Sequence, residues 1–117
     1  DLTKQIYCVE GPLDSLFLDN AVAVGSADLA RVSSILPKGN TTLVFDNQPR
    51  NPEVVRIMKK AMEDGWKITV WPDTIEQKDI NDMVLSGRNP DEIQEVINMN
   101  SHSGLSLRLK LNEWSKC

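Results

Sequence analysis

Residues 42–63 have the sequence TLVFDNQPRNPEVVRIMKKAME, and they combine an apolar strand, a polar turn and a helix. The first four residues are rich in β-branched and aromatic side chains, which is typical of a short strand buried on both faces. Asn51 is suited to cap the helix, and Pro52 fits the first turn, where its missing N–H costs nothing. The stretch therefore predicts a strand that leads directly onto Asp46, before a capped helix.

The segments on either side continue the alternation of strands and helices. Their patterns predict strands at residues 5–9, 21–24, 67–71 and 105–111, helices at residues 13–18, 27–36 and 79–85, and one more helix that begins at Asn89. In the last strand, leucines alternate with polar residues, which places Arg108 and Lys110 on a solvent-facing side. This order predicts an α/β fold, with a mainly parallel sheet of four to five strands and helices on both faces.

The composition is that of one globular domain, with 117 residues, 40% hydrophobic and 26% charged. The chain begins at Asp1 without a methionine and opens almost at once on a strand pattern, so we expect a single domain, residues 1–117, cut from a larger protein. The apolar runs are only a few residues long and predict no membrane segment. Cys8 and Cys117 form neither a metal motif nor a disulfide framework, which favours a reducing, cytoplasmic location.

Acidic residues follow the predicted strands at the points where those strands end. Glu10 and Asp46 come directly after the first and third strands, Asp14 is nearby, and residues 78–82 (KDIND) follow the fourth. Parallel sheets bind ligands beyond the carboxyl ends of their strands, so we expect these acids along one edge. Converging carboxylates repel one another unless a cation neutralises them, and oxygen ligands suit Mg²⁺ or Mn²⁺. The net charge of −4 agrees better with such a site than with a free-standing nucleic-acid binder.

The order of these motifs resembles the TOPRIM domain, a Rossmann-like fold shared by DnaG-type primases, phage primase-helicases, topoisomerases and some nucleases. V-E-G-x-x-D occupies residues 9–14, the third strand ends on Asp46, and K-D-x-N-D occupies residues 78–82. The last motif is similar to a stretch of the phage primase-helicases. The resemblance covers residues 4–85 and departs from the family at Gln48, which stands where the second acid of a D-x-D pair is expected.

The resemblance implies the Mg²⁺- or Mn²⁺-dependent nucleotidyl-transfer domain of a phage-type DNA primase, which makes RNA primers on template DNA. It implies that Glu10 is catalytic, through proton removal or orientation of a hydroxyl. The expected metal ligands are Asp46, Gln48 and Asp79, and the expected supporting or phosphate-binding residues are Asp14, Arg50, Lys78 and Asp82. The implied partners are single-stranded DNA, nucleotides and a helicase or other replication proteins, in the host cytoplasm if the protein is encoded by a phage.

Other functions stay open at the level of sequence. The same fold suits a nuclease or a topoisomerase cleavage domain, but a topoisomerase needs a tyrosine nucleophile, and Tyr7 lies inside the first strand. Because Gln48 brings no negative charge to a metal, a non-catalytic module that binds nucleic acid or a replication partner is a further alternative. Arg108 and Lys110 either form a solvated strand face or contact nucleic acid.

Three of the acids also have ordinary structural explanations. Asp46 suits a turn, Asp14 favours the start of a helix electrostatically, and Asp79 is suited to cap a helix. Asp82, taken alone, is an exposed acid on a helix. Only the joint pattern of strand-end acids therefore supports a functional site.

Overall fold

The computed structural model describes residues 4–24 and 36–117, and the centre of this part of the chain is a five-stranded sheet. The strands are β1 (Ile6–Val9), β2 (Ala21–Ala23), β3 (Thr41–Val44), β4 (Lys67–Thr69) and β5 (Ser101–His102). Their order across the sheet is β2-β1-β3-β4-β5. The first four strands are parallel, with Leu43 beside both Cys8 and Ile68, and β5 is antiparallel to β4.

The helices of the same residues are α1 (Pro12–Ser15), α2 (Pro52–Glu63), α3 (Ile80–Leu85), α4 (Pro90–Met99) and α5 (Gly104–Trp114). A short 3₁₀ turn, Lys38–Asn40, precedes β3. The first four helices confirm the predicted ones to within a few residues at each end, which is the usual uncertainty of helix boundaries. The helix predicted at residues 27–36 lies outside the described residues, except for Leu36.

The helix α2 begins where the sequence predicts, because Asn51 caps it. The side chain of Asn51 accepts the N–H of Glu53 at 3.0 Å and the N–H of Val54 at 3.4 Å. Just after the helix, Gly65 has a φ of 91°, in the left-handed region that favours glycine. One face of the helix is buried, and its members are Val54, Val55, Ile57, Met58 and Ala61.

Helices cover both faces of the sheet and bury two apolar layers. On one face, α2 and α5 pack against strand residues that include Leu43 and Ile68. On the other face, α3 and α4 pack against strand residues that include Tyr7 and Val44. Leu43 and Val44 illustrate how successive strand residues point to opposite faces. The predicted α/β fold, with a mainly parallel sheet between two helical layers, is confirmed.

The strand predicted at residues 105–111 is wrong, because this segment forms the helix α5. Leu107 and Leu111 are 0% and 1% exposed and lie one helical turn apart, facing the core. Leu105 and Leu109, which a strand would place on the same side as Leu107, are 71% and 58% exposed. The basic strand face proposed for Arg108 and Lys110 is therefore absent from this segment, and both residues are exposed on a helix.

In residues 4–24 and 36–117, we find no helix with the length and apolar character needed to cross a bilayer. The longest helix there, α2, has 12 residues and carries charged side chains on its exposed side.

Candidate active site

Glu10 and Asp46 meet at the edge of the sheet formed by the carboxyl ends of the parallel strands. Glu10 directly follows β1, and Asp46 lies two positions after the end of β3. The carboxylate of Glu10 accepts the backbone N–H of Asp46 at 2.5 Å, although 36 residues separate the two in the chain. The convergence predicted from the strand ends is thus present in the fold.

Asp14 joins the same edge from the helix α1. It is only 5% exposed, and its Oδ1 accepts the backbone N–H of Asn81, in the first turn of α3, at 2.8 Å. A Cβ atom at position 11 would lie 3.1 Å from Oδ2 of Asp14, so Gly11 leaves the space that this carboxylate occupies. Asp14 is therefore more than a favourable charge at the start of α1, because it links α1 to α3.

Asp79 caps α3, as one of its two predicted roles requires. Its side chain accepts the N–H of Asp82 at 2.8 Å. Its charge also raises the pKa values of both Asp14 and Asp46, so Asp79 lies near enough to interact with both carboxyl groups. We refer to Glu10, Asp14, Asp46 and Asp79 as the carboxylate cluster.

In the carboxylate cluster, burial and neighbouring negative charges oppose the ionisation of Asp14 and Asp46. The pKa of Asp46 is raised to about 8, chiefly by burial and further by the charge of Glu10, hydrogen bonding to Glu10 and the charges of Asp14 and Asp79. Burial likewise raises the pKa of Asp14, while the N–H of Asn81 partly opposes that change. A bound proton or a bound cation would relieve this repulsion.

These residues fit a divalent cation that a substrate helps to hold. In the described parts of the chain, no three His, Cys, Asp or Glu side chains are grouped as a complete metal site. Mg²⁺, however, is usually bound by one or two carboxylates, with waters and phosphates completing its octahedral shell. The carboxylates of Asp46 and Asp79 offer such a partial set, and the repulsion among the acids around Asp46 is what a dication would neutralise.

Gln48 and Arg50 lie in the loop between Asp46 and α2. The backbone N–H of Gln48 donates to the carbonyl of Asp46 at 2.9 Å, which keeps this turn tight. Both residues line an open cavity of about 420 Å³, together with Asn47, Pro49 and Asn51. Within the described residues, the Gln48 side chain makes no hydrogen bond to the carboxylate cluster, and Arg50 is exposed without an ion-pair partner.

The other predicted residues lie around or away from the cluster. Lys78 is exposed, and its backbone carbonyl accepts the N–H of Asn47 at 2.5 Å, which holds it beside the Asp46 loop. Asp82 is exposed in the first turn of α3. Lys110 is 4.0 Å from Glu113 on α5, and neither Lys110 nor Arg108 affects the pKa of Asp46 or Asp14. The two basic residues of α5 are thus not part of the cluster.

Sequence reasoning missed Asn47, whose side chain makes three hydrogen bonds to distant parts of the chain. Its side chain contacts the segment before α3 and the end of α5. The signal available in the sequence was only an amide placed between Asp46 and Gln48. Its partners lie 28 to 67 residues away, so no local pattern reveals them.

Comparison with known proteins gives one informative likeness. No protein-family model matches the chain. The chain is similar to a DNA primase of Enterobacteria phage T4, with 34% identity over 116 residues, which are 95% of this chain and 33% of the primase. The chain therefore spans about a third of the length of that relative.

Proposed function

Starting from this likeness to a phage DNA primase, we propose that the chain is the Mg²⁺-dependent nucleotidyl-transfer domain of a phage-type primase, with a TOPRIM fold. The observation that carries the proposal is the convergence of Glu10 and Asp46, with Asp14 and Asp79, at one edge of the sheet. Its partners would be single-stranded DNA, nucleotides and a helicase or other replication proteins. The location would be the cytoplasm of the host.

The proposed chemistry assigns separate tasks to the residues of the site. A divalent cation, Mg²⁺ or Mn²⁺, held at Asp46 and supported by Asp79, would neutralise negative charge on the transferring phosphate. One oxygen of Glu10 is bonded to the N–H of Asp46, which leaves the other to orient the attacking hydroxyl or accept its proton. Asp14 keeps the start of α3, and with it Asp79, beside the site.

The loop that follows Asp46 is suited to bind phosphate. Arg50 is exposed, and its planar guanidinium forms bidentate hydrogen bonds with phosphate readily. The N-terminus of α2, just beyond it, favours negative charge through the helix dipole, while its first N–H groups are already bonded to Asn51. Gln48, in the same cavity, would add a neutral oxygen ligand, and Lys78 and Asp82 would border the site near α3.

The proposal is tested with Glu10→Gln and Asp46→Asn in the full-length protein. We expect each variant to lower primer synthesis on single-stranded DNA by about a hundredfold or more, since a positioned acid–base group contributes about that much. Glu95→Gln is the matched control, because Glu95 is exposed on α4 and does not influence the pKa of Asp46. Unchanged primer synthesis in Glu10→Gln and Asp46→Asn would overturn the assignment.

Gln48 favours a second candidate, a non-catalytic module that binds nucleic acid or a replication partner. If the neutral amide is what weakens metal binding, Gln48→Asp should tighten Mn²⁺ binding by about tenfold through the added charge. Gln94→Glu adds the same charge on α4, where the acids Asp91 and Glu95 leave the pKa of Asp46 unaffected. A wild-type chain that binds no Mn²⁺, together with a Gln48→Asp variant that does, would favour the non-catalytic module.

A topoisomerase-type cleavage site is disfavoured within this chain. Tyr7 is its single tyrosine, is 4% exposed, and donates a hydrogen bond from its hydroxyl to Oδ1 of Asn98. A nucleophile must reach a phosphorus atom, so this hydroxyl could not act without rearrangement of β1. A cleavage function would need a tyrosine from another polypeptide segment.

A further inference from the structure

The side chain of Asn47 connects three separate segments of the fold. Its Nδ2 donates to the carbonyl of Ile75 at 3.0 Å and to the carbonyl of Gln77 at 3.2 Å. Its Oδ1 accepts the indole N–H of Trp114, at the end of α5, at 2.9 Å. Its backbone N–H donates to Lys78, as described above. The residue directly after Asp46 therefore holds both the segment before α3 and the last turn of α5.

Only a short amide satisfies these partners. An indole N–H can only donate and a backbone carbonyl can only accept, so the orientation of the Asn47 amide is fixed by its neighbours. Aspartate would keep the bond to Trp114 but would lose both donors to Ile75 and Gln77. Alanine would lose all three bonds and leave the indole N–H of a residue that is only 5% exposed without its partner.

The segment that Asn47 holds has no regular secondary structure of its own. Residues 70–79, between β4 and α3, form neither a helix nor a strand, so their backbone groups need partners outside regular structure. Ile75 is buried and its N–H bonds to Pro72 within the segment, while Arg88 reaches Gln77 at 3.4 Å from a half-buried position. Trp71 ties the start of the segment to the carbonyl of Phe45 at 2.9 Å, and Arg88 donates to the carbonyl of Thr74 at 3.3 Å. The bonds from Asn47 tie the end of the segment, residues 75–78, to the Asp46 loop.

We propose that Asn47 is a positioning residue, which sets the place of Lys78 and Asp79 relative to Asp46. The segment ends on Asp79, so a displacement of residues 75–78 would move one member of the carboxylate cluster away from the others. Trp114 supports this orientation, because its indole N–H holds Oδ1 of Asn47 and leaves Nδ2 directed towards residues 75–77. The effect on metal binding rests on the proposed function, whereas the effect on the placement of residues 75–79 does not.

The experiment compares three variants of this chain by Mn²⁺ titration and by amide hydrogen exchange. Asn47→Ala breaks all the side-chain bonds. Trp114→Phe removes the indole donor together with part of the buried ring, and Asn98→Ala removes an unrelated asparagine that bonds to Tyr7. We expect Asn47→Ala to weaken Mn²⁺ binding by about tenfold, as loss of a residue that orients a metal ligand commonly does. Trp114→Phe should weaken it by about threefold or less, since the bonds to Ile75 and Gln77 remain.

Hydrogen exchange supplies the readout that does not depend on metal. The N–H groups of Asn81 and Asp82 bond to Asp14 and Asp79, so they report whether the start of α3 keeps its place. In Asn47→Ala we expect both to exchange about tenfold faster, while Asn98→Ala leaves them unchanged even if its melting temperature falls.

The possible results separate the two proposals. If Asn47→Ala leaves the exchange of Asn81 and Asp82 at the wild-type rate, the positioning role is wrong, whatever the metal titration gives. If Asn98→Ala accelerates exchange and weakens Mn²⁺ as much as Asn47→Ala does, the effect is general destabilisation and the positioning role is again wrong. If the wild-type chain binds no Mn²⁺, the proposed function fails, and the exchange rates alone decide the role of Asn47.

Discussion

Asp46 is the residue at which the physical demands of the site are strongest. It is half-buried, its N–H is bonded to Glu10, and Asp14 and Asp79 lie close enough to oppose its ionisation. A site built in this way stores unfavourable electrostatic energy in the folded protein, because four acids converge and burial opposes the ionisation of Asp14 and Asp46. When no cation is bound, Asp46 keeps a proton in the folded protein that it loses in the unfolded chain. Its protonation is therefore linked to folding.

Stability of the metal-free chain should fall as pH rises from about 4 to 8. The pKa of Asp46 is raised from 3.8 to about 8, so in this range the folded state keeps a proton that the unfolded state has lost. The raised pKa stabilises the folded state in full when the pH is below the pKa of Asp46 in the unfolded chain. This stabilisation is lost as the pH rises through the pKa of Asp46 in the folded chain, by no more than about 1.4 kcal/mol per pH unit. Urea denaturation with a chelator present, from pH 4.5 to pH 8, measures this slope.

Asp46→Asn is the comparison that isolates the effect of this carboxyl group. The amide does not titrate, so the variant should lose less stability over the same pH range. Asp14, whose pKa is also raised, contributes to the loss in both proteins. Cys8, with a pKa of about 11, stays protonated throughout and does not contribute. Parallel curves of stability against pH for the two proteins would show that Asp46 has an ordinary pKa.

Among individual residues, the sequence predicts the acids of the site better than it predicts the residues that keep those acids in position. Glu10 and Asp46 could be found because each follows a recognisable strand, and the ends of parallel strands share an edge. Asn47 could not, because its role depends on carbonyls of residues 75 and 77 and on Trp114, which the fold alone brings near. Gln48 follows Asp46 by two residues in sequence, yet the described structure gives its side chain no hydrogen bond to the cluster.

Among the elements, α2 and α5 show when a sequence pattern decides a structure. The segment of α2 carries a cap at Asn51 and an apolar stripe with only the helical period, so one structure fits it. The segment of α5 has leucines at every second position from 105 to 111, which suits a strand, while Leu107, Leu111 and Trp114 also have helical spacing. Burial of those three residues over the sheet decides in favour of the helix.

Two leucine-to-alanine variants in α5 distinguish these structures. Leu107 is fully buried, so Leu107→Ala should lower the free energy of unfolding by about 3 kcal/mol, through lost burial and the cavity left behind. Leu109 is mostly exposed, so Leu109→Ala should change it by about 0.5 kcal/mol or less. Urea denaturation of both variants measures the two losses under the same conditions. Equal losses would indicate the strand, in which both side chains share one face.

Taken as a whole, the molecule assembles its site through topology and not through local sequence. Asp46 is 36 residues from Glu10, and Asn81 is 67 residues from Asp14, yet both pairs are joined by hydrogen bonds. The α/β alternation could be predicted because each βα unit has its own turn and cap signals. The antiparallel strand β5 could not, since two residues, Ser101 and His102, are too short to show a period.

Because the site exists only in the folded chain, a cation that binds there should stabilise the whole molecule. Binding to the folded state alone adds about 2.7 kcal/mol at a hundred times the Kd, which for a chain of this size raises the Tm by about 10 °C. Thermal denaturation at pH 8 in MgCl₂ measures this gain. NaCl of matched ionic strength screens the repulsion between carboxylates without coordinating them, so its effect should be clearly smaller.

Two variants show whether this stabilisation comes from the carboxylate cluster. Asp46→Asn removes the residue assigned to hold the cation, so the gain from Mg²⁺ should fall to about the small gain that NaCl gives in the same variant. Glu95→Gln removes an exposed acid on α4, and it should keep both. Equal increases in Tm from the two salts would mean that Mg²⁺ acts only by screening. The carboxylates would then be relieved by protons alone, and the proposed metal-dependent chemistry would lose its physical basis.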